Sequence, residues 1–320
     1  MSVGRVAIPF TGRTHPQARS ICAQTRVWTE AMRMMSPQVA ENFDQLAYPD
    51  LATLYSFDAT REGAQIMADL CSWYFIWDDQ VNKFAVEGRE AEWQQQAAQL
   101  RACLRDPAGA LATAHPTPRA FADLLVRTRR HFSDAWWQRY TQHWTDVIDV
   151  NDREFTNRRI GHIETIEDFL DMRRRSVGMF VWADLIELAS RTELPQHLYC
   201  SAPYQACIIA VADYCACCND LHSLAKERAV NDPHNIITVI SRARGCSQED
   251  AVHAALQRMT GAVEDYLQAE QALASRAVDD SGLDEQTRHG LRRCLLSMRD
   301  WIANMDGWHR NSARYHVEPA

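Results

Sequence analysis

The chain has 320 residues, of which 46% are hydrophobic and 24% charged, a balance too apolar for disorder and sufficient for a sizeable core. Its 34 Lys and Arg against 42 Asp and Glu leave a net charge of -8, so no general basic field exists for nucleic acid or an anionic membrane. With 12 Gly and 11 Pro it is poor in turn residues, which disfavours a β-sandwich or barrel and points to long helices.

Residues 1–16, with Pro9, Gly12 and Pro16, read as an extended arm, and Met1 to Phe10 holds no apolar stretch of signal-peptide length. A helix is expected from about Gln17 to Met35. A strongly apolar one follows from Arg61 to Phe84, carrying Met67, Leu70, Cys71, Tyr74, Phe75 and Trp77 before it meets acids. More polar helices cover Glu90 to Arg105 and Pro118 to Thr128. Helical spacing of apolar residues recurs over Arg139 to Asn151 and Ile166 to Met179, where Gly178 interrupts it. A long helix spans Tyr204 to Glu227, Pro233 precedes a short one, and the last two run from Gln248 to Leu273 and Asp284 to Asn304, before a polar tail. The most apolar run, Ala206 to Ala212, stops at Asp213, far short of the roughly 20 residues that cross a bilayer. With no strand-length alternation, no repeat and no Gly/Ser-rich or Pro-rich linker, one all-α helical bundle is the economical reading. A cytoplasmic location without membrane insertion is expected, and with it ten reduced cysteines.

Two polar clusters interrupt the apolar helices. In Trp77-Asp78-Asp79-Gln80-Val81-Asn82, Asp78 and Asn82 share a helix face and Asp79 points about a quarter turn away. Taken alone, acids at a helix end are more often a solvated feature than a metal site. In Asn219 to Glu227 an amide, a hydroxyl and a carboxylate fall at Asn219, Ser223 and Glu227, spaced i, i+4 and i+8 along one stripe. Three oxygen donors so placed suit a hard divalent cation such as Mg2+ that keeps sites open for phosphate. Because the stripe extends a deeply apolar helix, it must face a cavity or solvent. Of the consecutive Arg173, Arg174 and Arg175, one or two at most can point inward, where a guanidinium fork binds phosphate. The Cys215-x-x-Cys218 spacing lacks a second pair for zinc, and Asp146, Asp149 and Asp152 form a ladder read as a solvated face.

Together these residues resemble the class I terpene synthases of the bacterial type. Asn219, Ser223 and Glu227 match that family's second metal motif and Asp78-Asp79 its aspartate-rich motif. Arg173, 46 residues before Asn219, matches its diphosphate-sensing Arg, and Arg314-Tyr315 its C-terminal pair, within a segment taken as 305–320. Pro9-Phe10, Arg13 and Pro16 are similar to its N-terminal arm, so the matches run in order over nearly the whole chain. Asn82 departs from the pattern, standing where the family commonly has an acid.

The resemblance implies a helical bundle around one cavity, with Asp78 and Asn82 on one metal-bearing wall and Asn219, Ser223 and Glu227 on the other. It implies three Mg2+ ions, a prenyl diphosphate gripped by Arg173, Lys226, Arg314 and Tyr315, and Asp79 orienting Arg314. Ser176 and Val177 take the linker and effector positions of a helix break, and Trp308 that of a pocket tryptophan. The reaction implied is ionisation and cyclisation of farnesyl diphosphate to a sesquiterpene, with geranyl or geranylgeranyl diphosphate as alternatives. Two rivals are weighed. A prenyl-elongating synthase should carry a second aspartate-rich motif in place of Asn219 to Glu227, and a non-enzymatic helical interaction protein should not bind diphosphate. The oligomeric state is left open between monomer and homodimer.

Overall fold

The computed structural model describes residues 5–230, 232–279 and 283–316, with the backbone alone at 276–279. Residues 1–4 of the expected arm and 317–320 of the C-terminal segment lie outside the described residues. Fifteen α-helices and no strand occur among the described residues. In chain order they are α1 (Ala18–Met32), α2 (Pro37–Leu46), α3 (Tyr48–Thr53), α4 (Arg61–Val86), α5 (Glu90–Arg105), α6 (Pro107–Ala110), α7 (Pro116–Arg129), α8 (Asp134–Ile160), α9 (Ile166–Ser176), α10 (Met179–Ala189), α11 (Gln196–Tyr199), α12 (Ala202–Ala229), α13 (Ile236–Arg244), α14 (Gln248–Asp279) and α15 (Glu285–Asn311). A 3-10 turn, Ala313–Tyr315, follows α15.

Local chemistry sets the helix starts. Thr60, Ser133, Thr165 and Asp284 each accept a backbone N–H of the first turn with a side-chain oxygen, removing an orphan donor from α4, α8, α9 and α15. Asn235 does the same for α13, accepting Ile237 N–H at 2.9 Å. Gly178 separates α9 from α10 at φ +72, where a Cβ would stand 3.2 Å from both Tyr74 and Trp182. Glycine is needed there for backbone angle and for space.

Two helices expected to be apolar form the centre. Buried residues of α12 (Tyr204, Cys207, Ile208, Ala210, Val211, Tyr214, Cys215, Cys217) lie all round it, and its small Ala and Cys side chains admit α9, α10, α13, α14 and α15 against it. Buried α4 packs against α1, α3, α7 and α10. The two helices face each other across a cavity that both line. The arm closes the bundle's edge. Arg13 donates from N, Nε and Nη2 to Asp300 at 2.7–3.2 Å, its guanidinium lies 4.4 Å above the Phe57 ring, and Asn304 Nδ2 reaches Arg13 O at 3.0 Å. All ten cysteines are free.

Three expectations need adjusting. Helix α8 runs on from the expected end at Asn151 to Ile160, and the Asn151 side chain donates to Val147 O at 2.8 Å within the helix. The segment after Gly178, for which no element is expected, is α10, nearly all buried, whose unbroken apolar run carries no helical period to read. The polar tail expected after Asn304 is helical to Asn311, its charges paired by Asp306–Arg310 at 2.8 Å.

Candidate active site

On the α4 wall, Asp78, half-buried at the helix's C-terminal part, accepts Asn82 Nδ2 at 3.1 Å and Arg314 Nη2 at 2.6 Å on the same oxygen, Oδ2. Asp79 turns aside, taking Arg314 Nη1 at 2.5 Å, Tyr48 OH at 3.2 Å and Lys226 Nζ at 3.1 Å. Burial alone would raise the Asp79 carboxyl, but Arg314 and Lys226 outweigh it and hold it below the usual range. For Asp78, burial wins over Arg314 and raises it. The 3-10 turn delivers Arg314, 7% exposed, onto the face of Phe75 at 4.9 Å. The i, i+4 spacing thus brings Asp78 and Asn82 together, and the acid one residue on orients the guanidinium.

On the α12 wall, Asn219, Ser223 and Glu227 all line the cavity. Arg173 from α9 crosses to them. Its Nη2 donates to Asn219 Oδ1 at 2.8 Å, and its Nε and Nη2 to the fully buried Asp220 at 2.9 and 2.6 Å. Arg174 and Arg175 turn away to Asp213 and Asp171, so one arginine of the three faces inward. The Asn219 amide is held from behind. His309 donates Nδ1–H to Met305 O at 2.8 Å, which leaves Nε2 to accept Asn219 Nδ2–H at 3.2 Å, while Tyr315 OH accepts the same amide at 2.9 Å. Burial, with His222 and Arg314 adding to it, pushes the His309 imidazole down to about 3, keeping that acceptor neutral. Both amide hydrogens being engaged, Asn219 presents Oδ1 forward.

Ser223 Oγ is the revealing atom. It is buried, in a residue 4% exposed, and has no hydrogen-bond partner among the described residues. Glu227 accepts Asn235 Nδ2 at 2.7 Å, and burial pushes its carboxyl well above the ordinary range with Asp220's charge adding to it. A hydroxyl without a partner among the described residues, beside an amide oxygen and a carboxyl that accepts only a neutral amide, is a donor set that fits a hard divalent cation.

Below the rim the wall is apolar and aromatic: Leu51, Tyr55, Tyr74, Phe75, Val177, Met179, Trp182, Trp301 and Met305. Tyr74 OH donates to Ser176 O at 2.5 Å, tying the helix break to α4, and Val177 faces the cavity. The expected pocket tryptophan needs correction. Trp308 does not line the cavity; it stacks behind Phe75 at 5.2 Å, anchored by Nε1 to Ala47 O at 2.7 Å. The aromatic residues that line the cavity are Tyr55, Tyr74, Phe75, Trp182, Trp301 and Tyr315.

Sequence reasoning missed a third group on the rim. Arg158 on α8 donates to Asp232 Oδ2 at 3.0 Å, and His234 Nδ1 meets Asp232 Oδ1 at 3.0 Å. Asn235 also holds Asp220 O at 2.7 Å, and Asp220 Oδ2 accepts Ile236 N–H at 2.8 Å. Asn235 before Ile236-Ile237 was readable as a helix cap; the partners of Asp220 and Arg158 had no local signature. The Asp149 and Asp152 steps of the acidic ladder pair with Arg101 at 2.7 and 2.8 Å, bracing α5 on α8.

The family model of terpene synthase family 2, C-terminal metal binding, matches residues 69–265. The chain is 29% identical over 313 residues to epi-isozizaene synthase of Streptomyces coelicolor, spanning 97% of this chain and 87% of that one. A (+)-T-muurolol synthase of Roseiflexus castenholzii, described as cyclising (2E,6E)-farnesyl diphosphate, is 27% identical over 313 residues, spanning 97% and 93%. The crystal structure of germacradien-4-ol synthase from Streptomyces citricolor has the same fold, with a TM-score of 0.83 over 97% of this chain and 99% of that one at 24% identity. With the matched segment reaching from α4 across α12 and the whole helical frame shared, the chain belongs to the terpene synthase family.

Proposed function

We propose that this terpene synthase ionises farnesyl diphosphate and cyclises the resulting allyl cation to a sesquiterpene, with release of diphosphate. The observation that carries the reading is the rim itself: oxygen donors of Asn219, Ser223 and Glu227 stand among the guanidinium groups of Arg173 and Arg314 above an aromatic cavity. The fifteen-carbon choice rests on the substrate of the muurolol-forming relative. Asn219, Ser223 and Glu227 on one wall and Asp78 on the other would hold magnesium, three ions by resemblance, with Asn82 steadying Asp78 through its amide. When bound, magnesium supplies positive charge that neutralises the departing diphosphate.

Arg173, Lys226, Arg314 and Tyr315 donate to diphosphate oxygens and stabilise the charge that develops as the carbon–oxygen bond breaks. Phe75, Tyr74, Trp182 and Trp301 surround the prenyl chain, exclude water, and offer π faces worth about 0.5 to 2 kcal/mol each to a cation. The released diphosphate, still held by these donors, is the base for the final deprotonation.

The test is incubation with ten-, fifteen- and twenty-carbon prenyl diphosphates and magnesium, followed by gas chromatography. Cyclic fifteen-carbon products from farnesyl diphosphate, formed faster than products from the other two, are expected. Preferential turnover of either other substrate overturns the chain-length assignment, and elongated prenyl diphosphates would overturn the cyclase reading.

A further inference from the structure

Helix α12 carries a second ligand-bearing face, turned away from the cavity. Cys218 and His222 are one helical turn apart, so their side chains stand on one stripe, and neither lines the cavity. Asp306 of α15 faces them. The Cys218 sulfur, a His222 ring nitrogen and an Asp306 carboxylate oxygen lie within 4.8 Å of one another, and His222 Nε2 is 3.0 Å from Asp306 Oδ1. Cys218 is 1% exposed at the bottom of this cluster, whereas Asp306, 27% exposed, opens it to solvent.

We propose that Cys218, His222 and Asp306 form a binding site for a thiophilic divalent cation of the zinc class, distinct from the oxygen-ligand rim, and that its occupancy slows turnover. Sulfur, imidazole nitrogen and carboxylate oxygen are donors that zinc accepts in a four-coordinate site, with water completing the set. Magnesium, which takes oxygen ligands, has no claim on a thiol. Bond lengths to zinc of about 2.0 to 2.3 Å place tetrahedral donor atoms roughly 3.5 Å apart. The sulfur therefore closes by an ångström or so on binding while His222 Nε2 and Asp306 Oδ1, 3.0 Å apart, part by about half an ångström, and the thiol proton passes to solvent as sulfur bonds the metal. Asp306 keeps its second oxygen for Arg310 Nε at 2.8 Å.

The link to turnover is covalent and short. Asn219 follows Cys218 and Ser223 follows His222 on the same helix. His309, which holds the Asn219 amide, stacks on His222 with centroids 5.1 Å apart and planes 18° apart, and its Nδ1 lies 3.9 Å from Cys218 Sγ. Drawing Cys218 and His222 toward α15 moves the backbone that carries the rim donors and the ring that orients one of them.

The test uses the full chain, stripped of metal and then saturated with magnesium, and Co2+ as the probe. Cobalt bound to a thiolate gives a strong near-ultraviolet charge-transfer absorption that oxygen ligands do not give. One equivalent of such absorption, displaced by Zn2+, is expected in the parent protein and in Cys217→Ser. Cys218→Ser should abolish it, and His222→Gln and Asp306→Asn should each weaken cobalt affinity by about tenfold or more. Circular dichroism melts establish that each variant is folded, and the solvent-facing Asp306→Asn tests the site should Cys218→Ser not fold. Zn2+ should lower kcat of the parent at saturating magnesium, and Cys218→Ser should lose that sensitivity when compared with its own zinc-free rate. Absorption that persists in Cys218→Ser, or zinc inhibition relieved by added magnesium, would overturn the proposal.

Discussion

Replacing Ser223 by alanine separates a metal ligand from a structural hydroxyl, because the two roles carry opposite signs. The Ser223 hydroxyl is buried, in a residue 4% exposed, and has no partner among the described residues. A polar group left unsatisfied in this way costs about 1 to 3 kcal/mol, and alanine is also the better helix former by a few tenths. Without divalent cation, Ser223→Ala should therefore be about 1 kcal/mol more stable than the parent, a rise in Tm of about 2 °C. If the hydroxyl ligates metal, the same change should reduce turnover about a hundredfold, roughly 2.7 kcal/mol of barrier, and raise the magnesium concentration for half-maximal rate. The assay is a pair of melts, with and without magnesium and inorganic diphosphate, beside the magnesium dependence of the steady-state rate. The parent should gain stability from the added ligands and the variant should gain less. A metal-free variant that melts below the parent shows that the hydroxyl has a partner, and an unchanged magnesium dependence removes Ser223 from the metal wall.

Arg173→Lys should cost turnover about a hundredfold, since lysine cannot make the fork that spans Asn219 and Asp220, while Arg175→Lys, at an exposed pair with Asp171, should cost less than about twofold. Equal losses in kcat/KM would mean that the cluster acts as a general basic surface. Phe75→Leu should shift products toward acyclic or early-quenched ones more than Trp308→Leu does, because Trp308 stands behind the ring that faces the cavity. The reverse order in the chromatograms would return Trp308 to the cavity wall.

How far the sequence could be read follows from the range of each signal. Apolar periodicity and the i, i+4, i+8 stripe are local, so α4, α12 and both rim walls were legible to within a few residues. Which arginine of Arg173, Arg174 and Arg175 faces inward was not a local fact; Asp213 and Asp220 on α12 decide it by accepting different neighbours. The burial of Trp308 behind Phe75 depends on Ala47 O, 261 residues away in sequence. Helix α8 reaches beyond Asn151 through the charge-rich stretch Asp152 to Arg159, where apolar residues are too sparse to show a helical period. His309 carried no signal for holding Asn219, since a histidine on a polar helix end is ordinarily solvated; contact with α12 buries it.

The charges of the rim are paired with one another, and this has a consequence for the order in which the two walls take up metal. Arg314 covers Asp78 Oδ2 at 2.6 Å, Asn82 takes the same oxygen at 3.1 Å, and the guanidinium is pinned over Phe75. A cation approaching Asp78 meets a fixed positive charge, an opposition of about 4 kcal/mol per unit charge at 4 Å for an effective dielectric of about 20. On the opposite wall Arg173 covers Asn219 Oδ1 at 2.8 Å, but its charge is balanced by the fully buried Asp220 at 2.6 Å; among the described residues the Ser223 hydroxyl has no partner and Glu227 accepts only the Asn235 amide. The α12 wall should therefore bind first, and Asp78 should become available only when diphosphate draws Arg314 away. Mn2+ titrations with and without inorganic diphosphate test this by counting bound ions through electron paramagnetic resonance. The parent should bind fewer ions alone than with diphosphate. Arg314→Gln, which removes the competing charge, should bind the additional ion without diphosphate at least about tenfold more tightly than the parent, about 1.4 kcal/mol, even as its turnover falls. Identical stoichiometry and affinity in parent and variant without diphosphate would show that Arg314 does not guard Asp78.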